Sequence, residues 1–516
     1  MGGALHEEEQ LHLAGTLYRQ SGNDYYAGLI TGDSVLTAAH CDAWDWHWKV
    51  SQAGIEFFTN GGAPSEAIRT WPAKGNLETP SPLTEALAPF VDVNADGVYM
   101  HTDGDYPLIK GDQAVFWVFN DIGNLHTETG GLALGFEFHA MAYAYAIDGT
   151  DVDYATYYQY TMVNKSEHDY HDLYLGHFLD IDLGNGADDH IGVDVARKTV
   201  FGYNGDDFDE GLTRYGNNIP MVGVRVNRAP DDATMHAAHY FESSTINNHR
   251  LPSIAIEYYN YLSGLNPDGS TKTDLNGDPT TYVLDGANLA SPSMCADGFL
   301  PADYRALQSY GPYDFERSQS MGITYSVVLD FDSAFQGQGC PDYVPFGNAA
   351  DVVDSRYQFT RCDDFAVDVT ADIQDASLDQ AGWINLVSLG VEGVYTYDWS
   401  NGASTRNIDG ISGGPYTVTI TNADGCTHTE SFEVLDGPGG LNEFNTSMIE
   451  LFPNPTNGLL AVKGLEVARP YTISNLLGAV VSSGNVKSSL DVHSLPSGIY
   501  ILKVDGHAPM KFQKID

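Results

Sequence analysis

Val115-Phe116-Trp117-Val118-Phe119 is a run of β-branched and aromatic residues of strand length. The same signature recurs in Leu134 to Tyr145, Tyr157 to Val163 and Ile323 to Leu329, while helical periodicity with caps is scarce over residues 1–350. Gly/Asp/Asn-rich connections separate the runs, notably Asp180 to Asp189, Asn204 to Gly211 and Asn266 to Gly286, long enough to be functional loops. The pattern predicts an all-β chain: a large antiparallel β-sandwich head over residues 1–350, followed by two small immunoglobulin-like β-sandwich domains. These are expected at 357–436 and 447–516, with a linker at 437–446.

The first small module rests on Tyr395-Thr396-Tyr397-Asp398-Trp399-Ser400-Asn401-Gly402-Ala403 and Pro415-Tyr416-Thr417-Val418-Thr419-Ile420-Thr421-Asn422-Ala423-Asp424-Gly425-Cys426. Alternating strands broken at Asn-Gly and Asp-Gly are hairpin signals. The pattern resembles the immunoglobulin-like repeat of Bacteroidetes gliding adhesins, which implies a spacer. Asp436-Gly437-Pro438-Gly439-Gly440 then reads as a flexible linker.

The last module opens Leu451-Phe452-Pro453-Asn454-Pro455-Thr456-Asn457-Gly458 and closes Leu495-Pro496-Ser497-Gly498-Ile499-Tyr500-Ile501-Leu502-Lys503-Val504, with a basic tail through Lys511 and Lys514. Short alternating runs, Tyr471 to Ser474 and Ala479 to Ser483, lie between Gly, Asn and Ser. It resembles the type A C-terminal sorting domain of the Bacteroidetes type IX secretion system. That resemblance implies recognition by the type IX machinery and export to the extracellular space or outer-membrane surface. Met1-Gly2-Gly3-Ala4 followed by Glu7-Glu8-Glu9 is not a signal peptide, and no apolar run is long enough to span a bilayer. The chain is therefore expected to be a form from which a signal has been removed. Phrases in the head, Leu11-His12-Leu13-Ala14-Gly15 and His126-Thr127-Glu128-Thr129-Gly130-Gly131 among them, resemble large Bacteroidetes surface proteins of no assigned activity.

Charge separates the tail from its cargo. Of a formal −46, residues 451–516 hold 6 Lys+Arg and 4 Asp+Glu, which leaves 18 against 66, or −48, for the residues before them. Such a field excludes nucleic acid as a partner and favours cations. The five cysteines show no C-x-x-C spacing, so a zinc ribbon is not expected. In an exported chain, position favours Cys295 with Cys340 and Cys362 with Cys426, leaving Cys41 free.

The clearest chemistry is Asp92-Val93-Asn94-Ala95-Asp96-Gly97-Val98-Tyr99, with Asp103 at the twelfth position. Calcium takes six to eight hard oxygens, and D-x-N-x-D-G sets three side-chain oxygens on one turn while Gly lets the backbone fold around the ion. The expected ligands are Asp92, Asn94, Asp96, the Val98 carbonyl and Asp103. An acidic Asx-turn without an ion is the competing reading. Asp180, Asp182, Asp188, Asp189 and Asp194, and separately Asp274, Asn276 and Asp278, are less regular candidates.

Leu36-Thr37-Ala38-Ala39-His40-Cys41 resembles the histidine motif of chymotrypsin-like proteases, and Gly410-Ile411-Ser412-Gly413-Gly414-Pro415 echoes their serine motif. Ile411 replaces the Asp that precedes the nucleophile there, and Ser412 falls inside the repeat module, so no triad is expected. His236 and His239 lack zincin spacing, and His126, His168, His171 and His177 read as polar loop histidines. Trp44, Trp46 and Trp48 with Tyr25 and Tyr26 suit a sugar-stacking platform, although i, i+2 spacing on a strand equally makes a core contact. No catalytic residue is nominated. The expectation is a secreted, calcium-binding adhesive or structural surface protein with a glycan or protein ligand. The competing expectation is a secreted hydrolase acting on polysaccharide or protein.

Overall fold

The computed structural model describes residues 1–515 apart from 7–9, 18–21, 32–35, 82, 86, 212–213, 243–247, 286–288, 332–339, 361, 363–368, 378–379, 390, 393–394, 423–424, 438–448, 466, 476–478, 506 and 508. The expected linker at 437–446 lies, beyond Gly437, outside the described residues. The chain divides into two units, Met1–Gly437 and Pro438–Asp516.

The four apolar runs of the head become neighbouring antiparallel strands, Ser320–Asp330, Thr156–Asn164, Phe136–Ala144 and Gln113–Asn120, at the centre of one large sheet. Met221–Arg228, Thr199–Asn204 and Asp189–Asp194 extend it on one side, and Tyr26–Ala27 and Trp48–Ser51 both pair with Gln113–Asn120 on the other. A second antiparallel sheet runs Ala237–Phe241, Arg305–Phe315, Tyr170–Asp180, Gly2–His6, Leu11–Ala14.

The period of two in each strand divides its side chains between two cores. Phe136, Phe138, Met162, Val200, Val224 and Ile323 meet Leu173, Leu175, Ala306 and Tyr310 of the smaller sheet. Phe116, Val118, Met141, Tyr143, Tyr157, Phe201 and Val328 point the other way, into a layer built from Trp44, Trp71, Phe90, Phe346 and Tyr357. The head is thus an all-β sandwich of antiparallel sheets with a further layer on the large sheet.

Helices supply much of that covering, beyond what the sequence led one to expect. Val344–Thr360 buries Phe346, Ala349, Ala350, Val353 and Tyr357, one face of a helix by spacing. Asp351 and Asp354 on it bind Arg225 of the sheet and Arg197 of the turn between Asp189–Asp194 and Thr199–Asn204 at 2.9–3.0 Å. Ala255–Leu262 covers the outer face of the smaller sheet through Tyr258, Tyr261 and Leu262. Cys295 pairs with Cys340 and Cys362 with Cys426, as position favoured, and Cys41 is free.

Residues 370–437 form a small sandwich. One sheet holds Thr370–Gln374, Gly382–Ser388 and Ile408–Ile411, the other Tyr395–Trp399, Gly414–Asn422 and Thr427–Val434, around Trp399, Ile384, Val418 and Ile420. This module belongs to the same unit as the head, and Val391–Glu392 adds a strand to Phe90–Val91. In the second unit, Glu450–Phe452, Leu459–Lys463 and Ser489–Asp491 oppose a four-stranded sheet, Val480–Val486, Arg469–Asn475, Gly498–Val504 and Met510–Lys514. Leu460, Ile473, Leu502 and Phe512 are its fully buried centre.

One buried cation works against this stability. Lys272 is 2% exposed, its Nζ has no hydrogen-bond partner, and burial lowers its pKa to about 7. His239 beside it is pushed well below its ordinary range by burial first, then by Lys272 and His249. The unfolded chain binds a proton at Lys272 that the folded chain releases above about pH 7, so stability rises with pH from there toward the ordinary lysine pKa. Chemical denaturation should show a gain on the order of 3 kcal/mol between about pH 7 and 10. Lys272→Met should raise stability at neutral pH and flatten that slope; an unchanged slope would contradict the assignment.

Candidate functional site

The loop at 92–105 sets Asp92, Asn94 and Asp96 on one turn, with Asp103 in the following 3-10 turn His101–Asp103. Asp92 accepts from Gly97 N at 2.7 Å and Asp96 N at 3.3 Å, and Asp96 accepts from Val98 N at 2.9 Å. Asn94 Oδ1 accepts from Asp96 N at 3.2 Å, while its Nδ2 donates to Asp96 Oδ2 at 3.0 Å and Asp103 Oδ2 at 3.4 Å. Ala95 and Gly97 take positive φ, 58° and 76°, which wraps the chain around its own carboxylates. The carboxylates of this turn are met by the loop's own backbone N–H groups and by the Asn94 amide.

Asp105 was not singled out by the sequence, because it lies beyond the twelve-position loop. Fully buried, it accepts from Val93 N and Met100 N, both at 2.8 Å, and so closes the loop. Burial raises its pKa despite those two hydrogen bonds, and the Asp92 and Asp96 charges add to the rise. The Asp103-Gly104-Asp105 spacing was the available signal. The loop also abuts the small module: Ser388 Oγ donates to Asp92 Oδ2 at 3.0 Å, and a Cβ on Gly97 would lie 2.6 Å from the Val387 carbonyl.

The other acidic candidates separate. Asp194 is engaged by Arg197 at 2.9 Å and by the Tyr343 hydroxyl at 2.7 Å. Asp274 accepts from Asn276 N and Asp278 N in an exposed turn. Asp180 and Asp182 converge with Asp303.

A cavity of about 490 Å³ opens between the two sheets of the head. Its floor is Leu134, Phe136, Phe138, Met162 and Ile323 of the inner core, and its walls are Tyr25, Tyr26, Trp44, Trp46, Trp117, Tyr160 and Tyr325. Trp46 stands 43% exposed at this opening. Trp117 meets Tyr160 edge-on at 6.1 Å, and Tyr160 stacks on Tyr325 at 5.9 Å. Asp45, His47 and His177 bring polar atoms. His177 packs on Tyr325 at 4.1 Å, and burial lowers its pKa to about 3, so it is neutral at physiological pH.

Four of the five aromatics expected as a platform line this cavity, but not as one strand face. Trp44 ends the helix Ala38–Trp44, which Thr37 caps, and Trp48 starts a strand and is buried, donating to Thr70 Oγ1 at 3.1 Å. Trp117, Tyr160 and Tyr325 were missed because they come from strands far apart in sequence.

The protease echoes have local explanations. His40 lies in the capped helix with Nε2 3.0 Å from the Leu29 carbonyl, and Ser412 sits in the turn between Ile408–Ile411 and Gly414–Asn422. His126 is buried with both ring nitrogens on carbonyl oxygens, Leu13 at 2.7 Å and Asp121 at 2.6 Å, between the carboxylates of Asp24 and Asp121. It knits the base of the head. His239 is bonded through Nε2 to the Asn248 carbonyl.

Residues 450–515 match the family described as "Secretion system C-terminal sorting domain". No curated protein matches the chain. Among solved structures it is similar to a polysaccharide lyase, at 9% identity and a TM-score of 0.21 over 68% of this chain and 39% of that one. It is also similar to dimeric latent PorU from Porphyromonas gingivalis, at 13% identity and 0.12 over 66% and 34%. The chain thus spans about two fifths and one third of those proteins. Among the described residues no helix is long and apolar enough to cross a membrane. The last domain, 450–515, is a type IX secretion sorting domain of the kind found in Bacteroidetes, and the chain is cargo exported to the cell surface or the extracellular space.

Proposed function

We propose that this exported chain is a calcium-stabilised adhesin whose head binds surface glycans in the aromatic cavity between its sheets. The observation that carries this reading is the wall of Tyr26, Trp44, Trp46, Trp117, Tyr160 and Tyr325 around an open cavity. Sugar rings present apolar C–H faces that pack on aromatic faces, while hydroxyls reach polar atoms at the rim, here Asp45 and His47. The neutral, half-buried His177 offers a hydrogen-bonding nitrogen without a charge to desolvate. Calcium in the Asp92 loop would hold the head against the module that follows, since Asp92 takes a hydrogen bond from Ser388.

Binding is tested on a glycan array with the purified full chain, followed by titration of the best glycan. Trp46→Ala should weaken it by roughly tenfold, the loss of one stacking contact of about 1.4 kcal/mol. Phe57→Ala, at an exposed position outside the cavity, should leave it unchanged. Turnover of a polysaccharide or protein that co-purifies with the chain, or binding indifferent to Trp46→Ala, would defeat the adhesin reading.

Calcium is tested by thermal melting. Added calcium should raise Tm by several degrees relative to EDTA, since a ligand at about 100 times its Kd contributes about 2.7 kcal/mol. The part of that rise due to this loop should vanish in Asp96→Ala. A Tm indifferent to calcium in both proteins refutes the assignment.

A further inference from the structure

We propose that the aromatic cavity of the head selects N-acetylhexosamine units, with His177 donating a hydrogen bond to the acetamido carbonyl while the acetyl methyl packs on the apolar floor. The proposal rests on the glycan reading of this cavity and names the class of sugar it takes.

His177 is a polar side chain of the cavity that the fold leaves unused. It lies on the strand Tyr170–Asp180 of the smaller sheet, and its ring meets that of Tyr325 on the large sheet at 4.1 Å. No hydrogen bond joins the ring to any described residue, and Nδ1 is sealed from solvent. The polar groups around it are engaged elsewhere. Gln308, opposite it in the strand register, donates to the Val224 carbonyl at 3.1 Å and accepts from the Tyr310 hydroxyl at 3.1 Å. The Tyr160 and Tyr325 hydroxyls pair with each other at 3.4 Å, and the Tyr25 hydroxyl donates to the Ala14 carbonyl at 3.1 Å.

Burial keeps the ring neutral at physiological pH, so one nitrogen carries a proton and the other does not. A sealed N–H without an acceptor is the costlier orphan, which puts the proton on Nε2 and leaves that nitrogen to donate to a ligand. Apolar side chains flank this donor. Alternation along each strand sets Leu175 on the same face as His177, and Ile323 on the same face as Tyr325, with all four lining the cavity.

That combination discriminates between oxygens. A sugar hydroxyl beside Nε2 would accept the bond, but its own hydrogen would then face hydrocarbon or tyrosine hydroxyls already paired. An amide carbonyl only accepts. The methyl carried next to it meets Leu175 and Ile323 and removes them from water. The amide N–H is left to water at the open rim, beside the exposed Asp45 and His47. The C–H face of the ring stacks on the aromatic wall, so each part of the unit meets a surface of its own kind.

The test uses the full chain and the methyl β-glycosides of N-acetylglucosamine, glucose, N-acetylgalactosamine and galactose, with affinities read by NMR titration. At least one acetamido sugar should bind about tenfold more tightly than its parent hexose. His177→Phe keeps an aromatic ring against Tyr325 and removes the donor, and it should bring that sugar down to the affinity of its parent. His177→Gln retains a donor and should keep most of the preference. Trp46→Ala should weaken both members of the pair alike and leave their ratio unchanged. Circular dichroism checks each fold; if His177→Phe does not fold, the ratio in the unaltered chain decides. Equal affinity within both pairs, no binding of either acetamido sugar, or a preference that survives His177→Phe overturns this inference and leaves the glycan reading standing. A glycan array on which nothing binds removes both.

Discussion

Burial of both faces of one antiparallel sheet is the constraint on which the head depends. Its central strands send Phe136, Phe138 and Ile323 to one side and Phe116, Met141 and Val328 to the other, all nearly inaccessible to water. An antiparallel sheet commonly leaves one face to solvent. Here each face demands a partner layer. The smaller sheet meets the first demand, and the segments around Trp44, Trp71, Phe90 and Phe346 meet the second.

That demand decides where a cavity can open. A sheet covered on both faces leaves open space only where a covering layer ends, and the aromatic cavity lies at such a place, bounded by the short strand Tyr26–Ala27 and the turn after Trp44. Its floor is the inter-sheet core itself, so a ligand there would touch the side chains that hold the sandwich together. Such a site is rigid by construction, which favours specificity over adaptability. The acidic groups lie instead in the connections, Asp92 to Asp105 and Asp180 to Asp189, where backbone N–H groups are free to turn inward.

The sequence showed the strands well because both-face burial writes unbroken apolar runs. Each of the four runs chosen in the head became a strand, and they proved to be neighbours. The covering helices were harder to see. Val344–Thr360 has its buried residues at helical spacing, but Pro345, Gly347 and Asn348 give its start the look of a loop. The three tryptophans were assigned to one strand by alternation, whereas Asp45 ends a helix between Trp44 and the strand that Trp48 starts, and the Trp44 and Trp48 rings meet tilted at 6.0 Å in the core. The acidic turn at Asp92 was legible because it is local in sequence. The far wall of the cavity was not, since only the fold brings Trp117, Tyr160 and Tyr325 together.

The placement of the Asp92 loop also bears on the module after the head. Read alone, residues 357–436 look like a detachable spacer, with their own core around Trp399. Three features bind them to the head: the strand Val391–Glu392 beside Phe90–Val91, the Ser388 hydroxyl on Asp92, and the bridge from Cys362 to Cys426. The first two converge on the loop that gathers Asp92, Asn94, Asp96 and Asp103, and Gly97 there leaves no room for a side chain against Val387. A loop so crowded with negative charge is a weak surface for docking unless its charge is balanced, and donors from the loop's own backbone supply part of that balance. The junction between head and module is therefore the part of the first unit whose order depends most directly on what neutralises those carboxylates.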